Sequence, residues 1–195
     1  MKISQFISNI DGVINGITDI VIDACDVAAL DAKAMLQSRI QEEGLNSSGA
    51  SFEPYSKNKL PLFFFAKNSK VNVLNTLGID NTGKLVNKGR KGIKNPYSEG
   101  VSYEEWRKLM GLPITHVTLT VTGEMWKKIG LLGSNVDGGN IITRIGGRDP
   151  STRQKMSWIA ERRGDFMGLT NDEAEDVTGV MHKEVISRII ERLEQ

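Results

Sequence analysis

The chain has a single cysteine, Cys25, among 195 residues. That excludes an intrachain disulfide and points to a reducing compartment. It has two histidines, His116 and His182, and neither lies in an H-E-x-x-H or Cys/His spacing, so no metal and no cofactor is expected. Long apolar runs are missing too: nothing approaches the roughly 18 residues of a membrane span. Ser, Asn and Asp interrupt the opening MKISQFISNIDG, so no signal peptide and no membrane partner is expected, and the protein should be soluble. Net charge is only +1, which excludes a chain that binds polyanions over its whole surface. The hydrophobic fraction of 39% is enough for a core, so global disorder is not expected.

The near-neutral total hides four blocks of charge. Residues 1–43 carry three basic and seven acidic side chains, and residues 44–108 carry eleven and five. Residues 109–164 carry eight and four, and residues 165–195 three and eight. Acidic ends around a basic middle suit association between copies, or a nucleic acid lying on the basic face; two ordinary acidic helices would give the same pattern.

Residues 3–43 place apolar side chains three and four apart, from Ile3, Ile7, Ile10, Ile14 and Ile17 on to Leu36 and Ile40. This predicts one long amphipathic helix, with a kink possible at Gly12 and Gly16 and a stop at Gly44. At 1.5 Å per residue it would reach about 60 Å, longer than a small domain is wide, so part of it should pack on another chain. Residues 45–100 are rich in turn formers and lack periodicity, which predicts an extended arm that orders on assembly. Within it Phe63, Phe64 and Phe65 form an apolar knot expected to be buried, against a neighbouring subunit if not within the chain. Ser102 and Glu105 fit a capping box opening a short helix with Trp106 on its apolar face. HVTLTV (116–121) alternates like a strand, TGEMWKKIGLL reads as a short helix, and Asp137-Gly138-Gly139-Asn140 as a hairpin turn. Asp149-Pro150 starts another helix, and Thr170 with Glu173 caps a last one running to about Leu193. The fold class is therefore α+β, a single domain over 1–195 with an extended arm at about 45–100.

Few residues suggest chemistry. Gly78-Ile-Asp-Asn-Thr-Gly83-Lys84 matches a phosphate-binding loop except at Leu85, where a magnesium-ligating Ser or Thr belongs, so a plain glycine turn is preferred. The run Lys84, Lys88, Arg90, Lys91 and Lys94 would contact DNA phosphates or an acidic neighbour, unless it is only a solvated loop. Cys25 and the three tryptophans (Trp106, Trp126, Trp158) fit core packing. Adjacent acids such as Glu104-Glu105 point apart on a helix and form no dyad. No catalytic residue is expected, and the chain reads as a non-enzyme.

Three stretches together resemble the tail-completion and virion-morphogenesis proteins of tailed bacteriophages. The first is Tyr55-Ser56 after the first helix. The second is YEEWRKLMGLPITHVTLTVTGEMWKKI, with Trp106 in its helix and the turn Leu119, Thr120, Val121, Thr122, Gly123, Glu124, Met125. The third is Arg163-Gly-Asp-Phe166-Met-Gly-Leu-Thr, leading into the last helix. The resemblance implies a structural virion protein forming a ring at the head–tail junction, as a tail-completion or neck component. It implies a homo-oligomer of six or twelve copies, portal or connector and tail proteins as neighbours, DNA passing through, and location in the virion after assembly in the host cytoplasm. A nucleic-acid-binding module using residues 84–94 is the alternative reading of the residues themselves.

Overall fold

The computed structural model describes residues 3–86 and 97–194. The fold is α+β, with a long N-terminal helix, two small antiparallel sheets and a long C-terminal helix. Among the described residues no helix is long and apolar enough to cross a membrane. The chain divides into two compact units, one formed by Met1–Ala50 with Thr122–Gln195 and the other by Ser51–Val121.

The first unit is built on α1 (Ile3–Ser38), which passes through Gly12 and Gly16 without a break. It continues into one wider, π-helical turn at Arg39–Glu43 and stops at Gly44, whose φ of 72° is the left-handed cap. Most of its buried residues recur every fourth position, Ile20, Ala24, Ala28, Ala32, Leu36 and Ile40, with Ala29 buried beside Ala28. Four residues turn a helix about 40° past a full circle, so this stripe winds around α1. One helix can thus pack on more than one partner, and the three alanines keep the approach close. The partners are α7 (Asn171–Leu193) and the hairpin of β3 (Ile129–Asp137) with β4 (Asn140–Gly147). In the hairpin Asp137 faces Asn140 across Gly138 and Gly139, whose φ values of 55° and 83° form the two-residue turn expected there. Leu132 is an extra residue in β3, and the register shifts across it between Leu131 and Gly133.

The remaining helices of this unit start where local chemistry places them. α5 (Glu124–Lys128) follows Gly123, which has φ 76°. α6 (Pro150–Arg163) has Asp149 accepting from the Thr152 amide at 3.0 Å, with proline in its first turn. At α7 both halves of the capping box are present: Thr170 Oγ1 accepts from the Glu173 amide at 3.2 Å, and Glu173 Oε2 from the Thr170 amide at 2.8 Å.

The second unit has its own core. The described residues between 45 and 100 are loop-rich, but those from 51 on are not a bare arm. They contain β1 (Lys59–Leu60), α2 (Phe63–Ala66) and α3 (Val71–Leu77). β1 pairs with β2 (Val101–Ser102), which leads into α4 (Tyr103–Leu109). Phe65, Val73, Leu74, Leu77, Val101 and Trp106 form the centre of the cluster. Trp106 Nε1 donates to Ser69 Oγ at 2.8 Å, so the largest core side chain is buried without an orphaned donor. Ser102 caps α4 by accepting from the Glu105 amide at 3.1 Å.

One predicted strand is absent: residues 116–121 are irregular. The cause is Arg107, a buried side chain that the sequence reading passed over, only 1% exposed. Its Nη1 donates to Thr120 O at 2.7 Å, its Nε to Pro113 O at 3.1 Å and its Nη2 to Thr118 Oγ1 at 3.1 Å. These carbonyls answer to a guanidinium rather than to a neighbouring strand. Leu119, with φ 49°, takes the bend.

Candidate interaction surfaces

The apolar side chains of α1 fall into two sets. One is the buried stripe. The other includes Ile3, Ile7, Ile14 and Ile17, which are 39% to 81% exposed, and further along Val27 and Leu30. Among the described residues before Ile20 none is fully buried. α7 packs along this part of α1 and likewise has no fully buried residue, with Ile186 and Ile190 58% and 48% exposed. The two helices run antiparallel, tied by Asn9 Nδ2 to Leu193 O at 3.0 Å and by Arg188 to Asp23 at 2.9 Å. Ile14 and Ile17 lie between these ties in α1, as Ile190 does in α7. A two-helix layer of this kind has one apolar side per helix more than it can cover alone. It is acidic as well: Ile3–Ser38 holds five aspartates and one lysine, and Asn171–Leu193 six acids and three bases.

At the other end of the pair, Arg39 is buried and joins three groups. It pairs with Glu173, and Nη2 donates to Gly168 O at 2.9 Å and Phe166 O at 3.4 Å. It therefore ties the link before α7 to the end of α1. Beside it lies a cleft of about 810 Å³ lined in part by Glu43, Ser47, Thr170 and Asp172. Of the amides at this helix start, those of Thr170 and Glu173 are taken by its own cap, and the acidic side chains of Glu43 and Asp172 line the cleft beside them. Sequence reasoning missed Arg39 because its three partners lie about 130 residues away.

The phenylalanine knot splits. Phe65 is in the core of the second unit, with its ring 5.3 Å from Trp106, whereas Phe63 and Phe64 stack at 4.3 Å and are 58% and 57% exposed. Within the chain, then, one of the three is buried: a single turn of helix can point only one of three consecutive side chains inward. Gly83 packs against Phe63; a Cβ there would come within 2.4 Å of Phe63 Cα, and φ is +85°. Leu85 and Val86, just beyond, are 52% and 63% exposed, and Lys67 and Lys84 are exposed too.

The loop Gly78–Leu85 does not cradle a phosphate. It follows a helix, α3, and its inward amides are taken by Asp80. Asp80 Oδ1 accepts from Thr82 Oγ1 at 2.7 Å, from the Thr82 amide at 2.8 Å and from the Lys84 amide at 3.0 Å. The Thr82 hydroxyl and the Lys84 amide hold the carboxyl below its ordinary range. A carboxylate sits where the phosphate would. Of the basic run, Lys84 closes this turn, while Lys88, Arg90, Lys91 and Lys94 lie outside the described residues.

The residues of the family resemblance are mostly internal supports. Tyr55 is buried, receives the Thr118 amide on its hydroxyl at 3.0 Å, and lies under the Arg107 guanidinium at 4.3 Å. Ser56 O accepts from the Glu104 amide at 3.2 Å. Tyr103 bridges Tyr55 and Trp106, 5.4 Å from each ring. Thr122 Oγ1 receives the Glu124 amide at 3.4 Å beside Gly123, and Leu119 is the bend described above. Arg163 ends α6 half-buried; Phe166 is buried edge-on to Trp126 at 6.5 Å. Trp158, expected in the core, is 54% exposed on α6, a correction that follows from α6 burying only Thr152 fully. Cys25 is half-buried against Met181, its Sγ 3.7 Å from the Met Sδ, and burial, then the Asp26 charge, push its thiol up. His116 meets Thr115 Oγ1 at 3.1 Å and His182 is exposed on α7. Among the described residues no three His, Cys, Asp or Glu side chains gather as metal ligands would.

No family model, no curated protein and no solved structure matches the chain.

Proposed function

We propose that this chain is a structural subunit of a tailed-phage virion, forming a ring at the head–tail junction as a tail-completion or neck protein, and acting through contacts with neighbours. One observation carries the reading: the α1–α7 pair leaves isoleucines on both helices uncovered, including Ile14, Ile17 and Ile190. Large apolar side chains left outside on two helices packed together fit an interaction site. The ordered resemblance of the Tyr55, Trp106–Met125 and Arg163–Thr170 stretches supplies the virion context. The nucleic-acid alternative rests on the sequence of residues 84–94, of which Lys84 is described, with its backbone amide in the Asp80 turn and its side chain exposed.

The test is assembly. Particles made without this protein are expected to accumulate as separate heads and tails, and immunogold labelling of complete particles is expected at the junction. Firmly joined, infectious tails in its absence would refute the reading.

A further inference from the structure

Two exposed apolar surfaces of this chain carry opposite charge. The first is the α1–α7 pair, whose helices together hold eleven acids and four bases around Ile14, Ile17, Ile186 and Ile190. The second is the stacked Phe63–Phe64 pair of α2, with Leu85 and Val86 exposed in the loop packed behind it. Residues 57–86, which carry this second surface, hold five lysines and one acid, Asp80, whose carboxylate is engaged by its own turn. Two of the lysines, Lys57 and Lys59, reach Glu104 and Glu99 at 4.0 and 3.7 Å. Lys67 and Lys84 are exposed, one just after α2 and the other next to Gly83, which packs on Phe63.

We infer that the occupant of the acidic helix pair is a second copy of this chain, which inserts its Phe63–Phe64 knob between the exposed isoleucines of α1 and α7. Charge selects this pairing over the symmetric ones. Helix pair against helix pair would oppose two acidic surfaces, and knob against knob two basic ones, and like charges across an interface cost affinity. The knob on the helix pair joins aromatic to aliphatic surface at the centre, with Lys67 and Lys84 toward the aspartates at the rim. Rings such as Phe63 and Phe64 are the kind of side chain that dominates binding when enclosed. The contact uses a different surface on each partner, so a pair of copies retains one free knob and one free helix pair. Repetition produces a ring if the rotation closes and a filament if it does not.

This rests on the reading of the chain as an assembly subunit, and its test is kept apart from that reading. The purified full-length chain, followed by sedimentation velocity, is expected to form species larger than a monomer that dissociate as salt is raised. F63E/F64E and I14E/I17E are each expected to sediment as monomers, with far-UV circular dichroism unchanged because all four side chains are exposed. Mixed one to one, they are expected to form a dimer and nothing larger, since each variant retains one intact surface. Charge reversal at Lys67 and Lys84 is expected to weaken assembly at least tenfold without touching the apolar centre. The inference is overturned if wild type stays monomeric, if F63E/F64E assembles as wild type does, or if the two variants fail to pair. Capture of single-stranded DNA or of anionic vesicles by the Phe63–Phe64 surface in place of a second copy would also overturn it. An F63E/F64E chain that assembles normally and still joins tails removes this interface alone. A chain that assembles through these surfaces but is dispensable for tail joining removes only the virion reading.

Discussion

Replacing Arg107 by methionine should unfold the second unit far more readily than its sequence position suggests. The guanidinium is buried, lies over Tyr55 at 4.3 Å, and supplies Pro113 O, Thr118 Oγ1 and Thr120 O. Methionine matches much of the aliphatic volume, so packing loss is small. Thr118 Oγ1 keeps a donor, the Thr120 amide at 3.3 Å. Pro113 is exposed, so water can replace the donor to its carbonyl, and Thr120 O keeps the Thr118 hydroxyl at 3.4 Å; the weakened bonding of the two costs about 1 kcal/mol. Loss of the ring contact adds about 1–2 kcal/mol, and release from the desolvation of a buried charge offsets part of the total. The net expected loss is about 2 kcal/mol, a sizeable share of the roughly 5–15 kcal/mol that holds a domain folded. Arg107→Lys should recover less than half of it, because one ammonium cannot reach three acceptors arranged for a planar fork. The assay is urea unfolding followed by Trp106 fluorescence in a Trp126→Phe, Trp158→Phe background, which leaves the reporter in the core beside Arg107. A loss below about 0.5 kcal/mol, the range of an ordinary surface change, would refute the account of residues 113–121 as a strap held by this side chain.

Thr170→Ala removes one half of the α7 capping box and should cost about 1 kcal/mol in urea unfolding of the first unit, with Thr170→Ser close to wild type; equal losses in the two variants would show that the hydroxyl is not the cap. The carboxyls of Asp80 and Asp149 are held below their ordinary range, by the Thr82 hydroxyl with the Lys84 amide and by the Thr152 amide with its hydroxyl respectively. A folded-state pKa below the unfolded one contributes stability above the unfolded value, about 4, and loses it as pH falls through the folded value. The melting temperature should therefore drop between pH 4 and more acidic conditions, and a D80N/D149N variant should drop less steeply; identical slopes would exclude these two groups as the cause.

How much was legible depended on how far the determining contacts reach along the chain. Ser102, Asp149 and Thr170 were recognisable as caps because each bonds an amide two or three residues onward, and Gly138-Gly139 as a turn because it needs positive φ at adjacent positions. Gly44 ended α1 for the same local reason. The excess apolar face of α1 was visible too, since helical spacing alone reveals more isoleucine than one stripe requires. The strand expected at 116–121 failed because alternation describes a surface, not a partner, and Arg107 binds Thr120 O and the Thr118 hydroxyl within it. Phe63, Phe64 and Phe65 look alike in sequence, and only the direction of α2 decides which one enters the core. The same holds for Trp158, which shares the apolar neighbours of Trp106 and Trp126 but lies on a helix that buries little.

The sequence by itself determined where the helices begin and end, the hairpin turn, the segregation of charge, and the presence of more apolar surface on α1 than one fold can hide. These are short-range or compositional properties, readable from residues a few positions apart. Only the tertiary structure decided that Arg39 and Arg107 would be internal ties, that residues 51–121 would close around a core of their own, and which isoleucines and phenylalanines would remain outside. Those outcomes depend on contacts between distant residues, and whether a side chain is covered is a property of what packs over it rather than of its own neighbours in the chain.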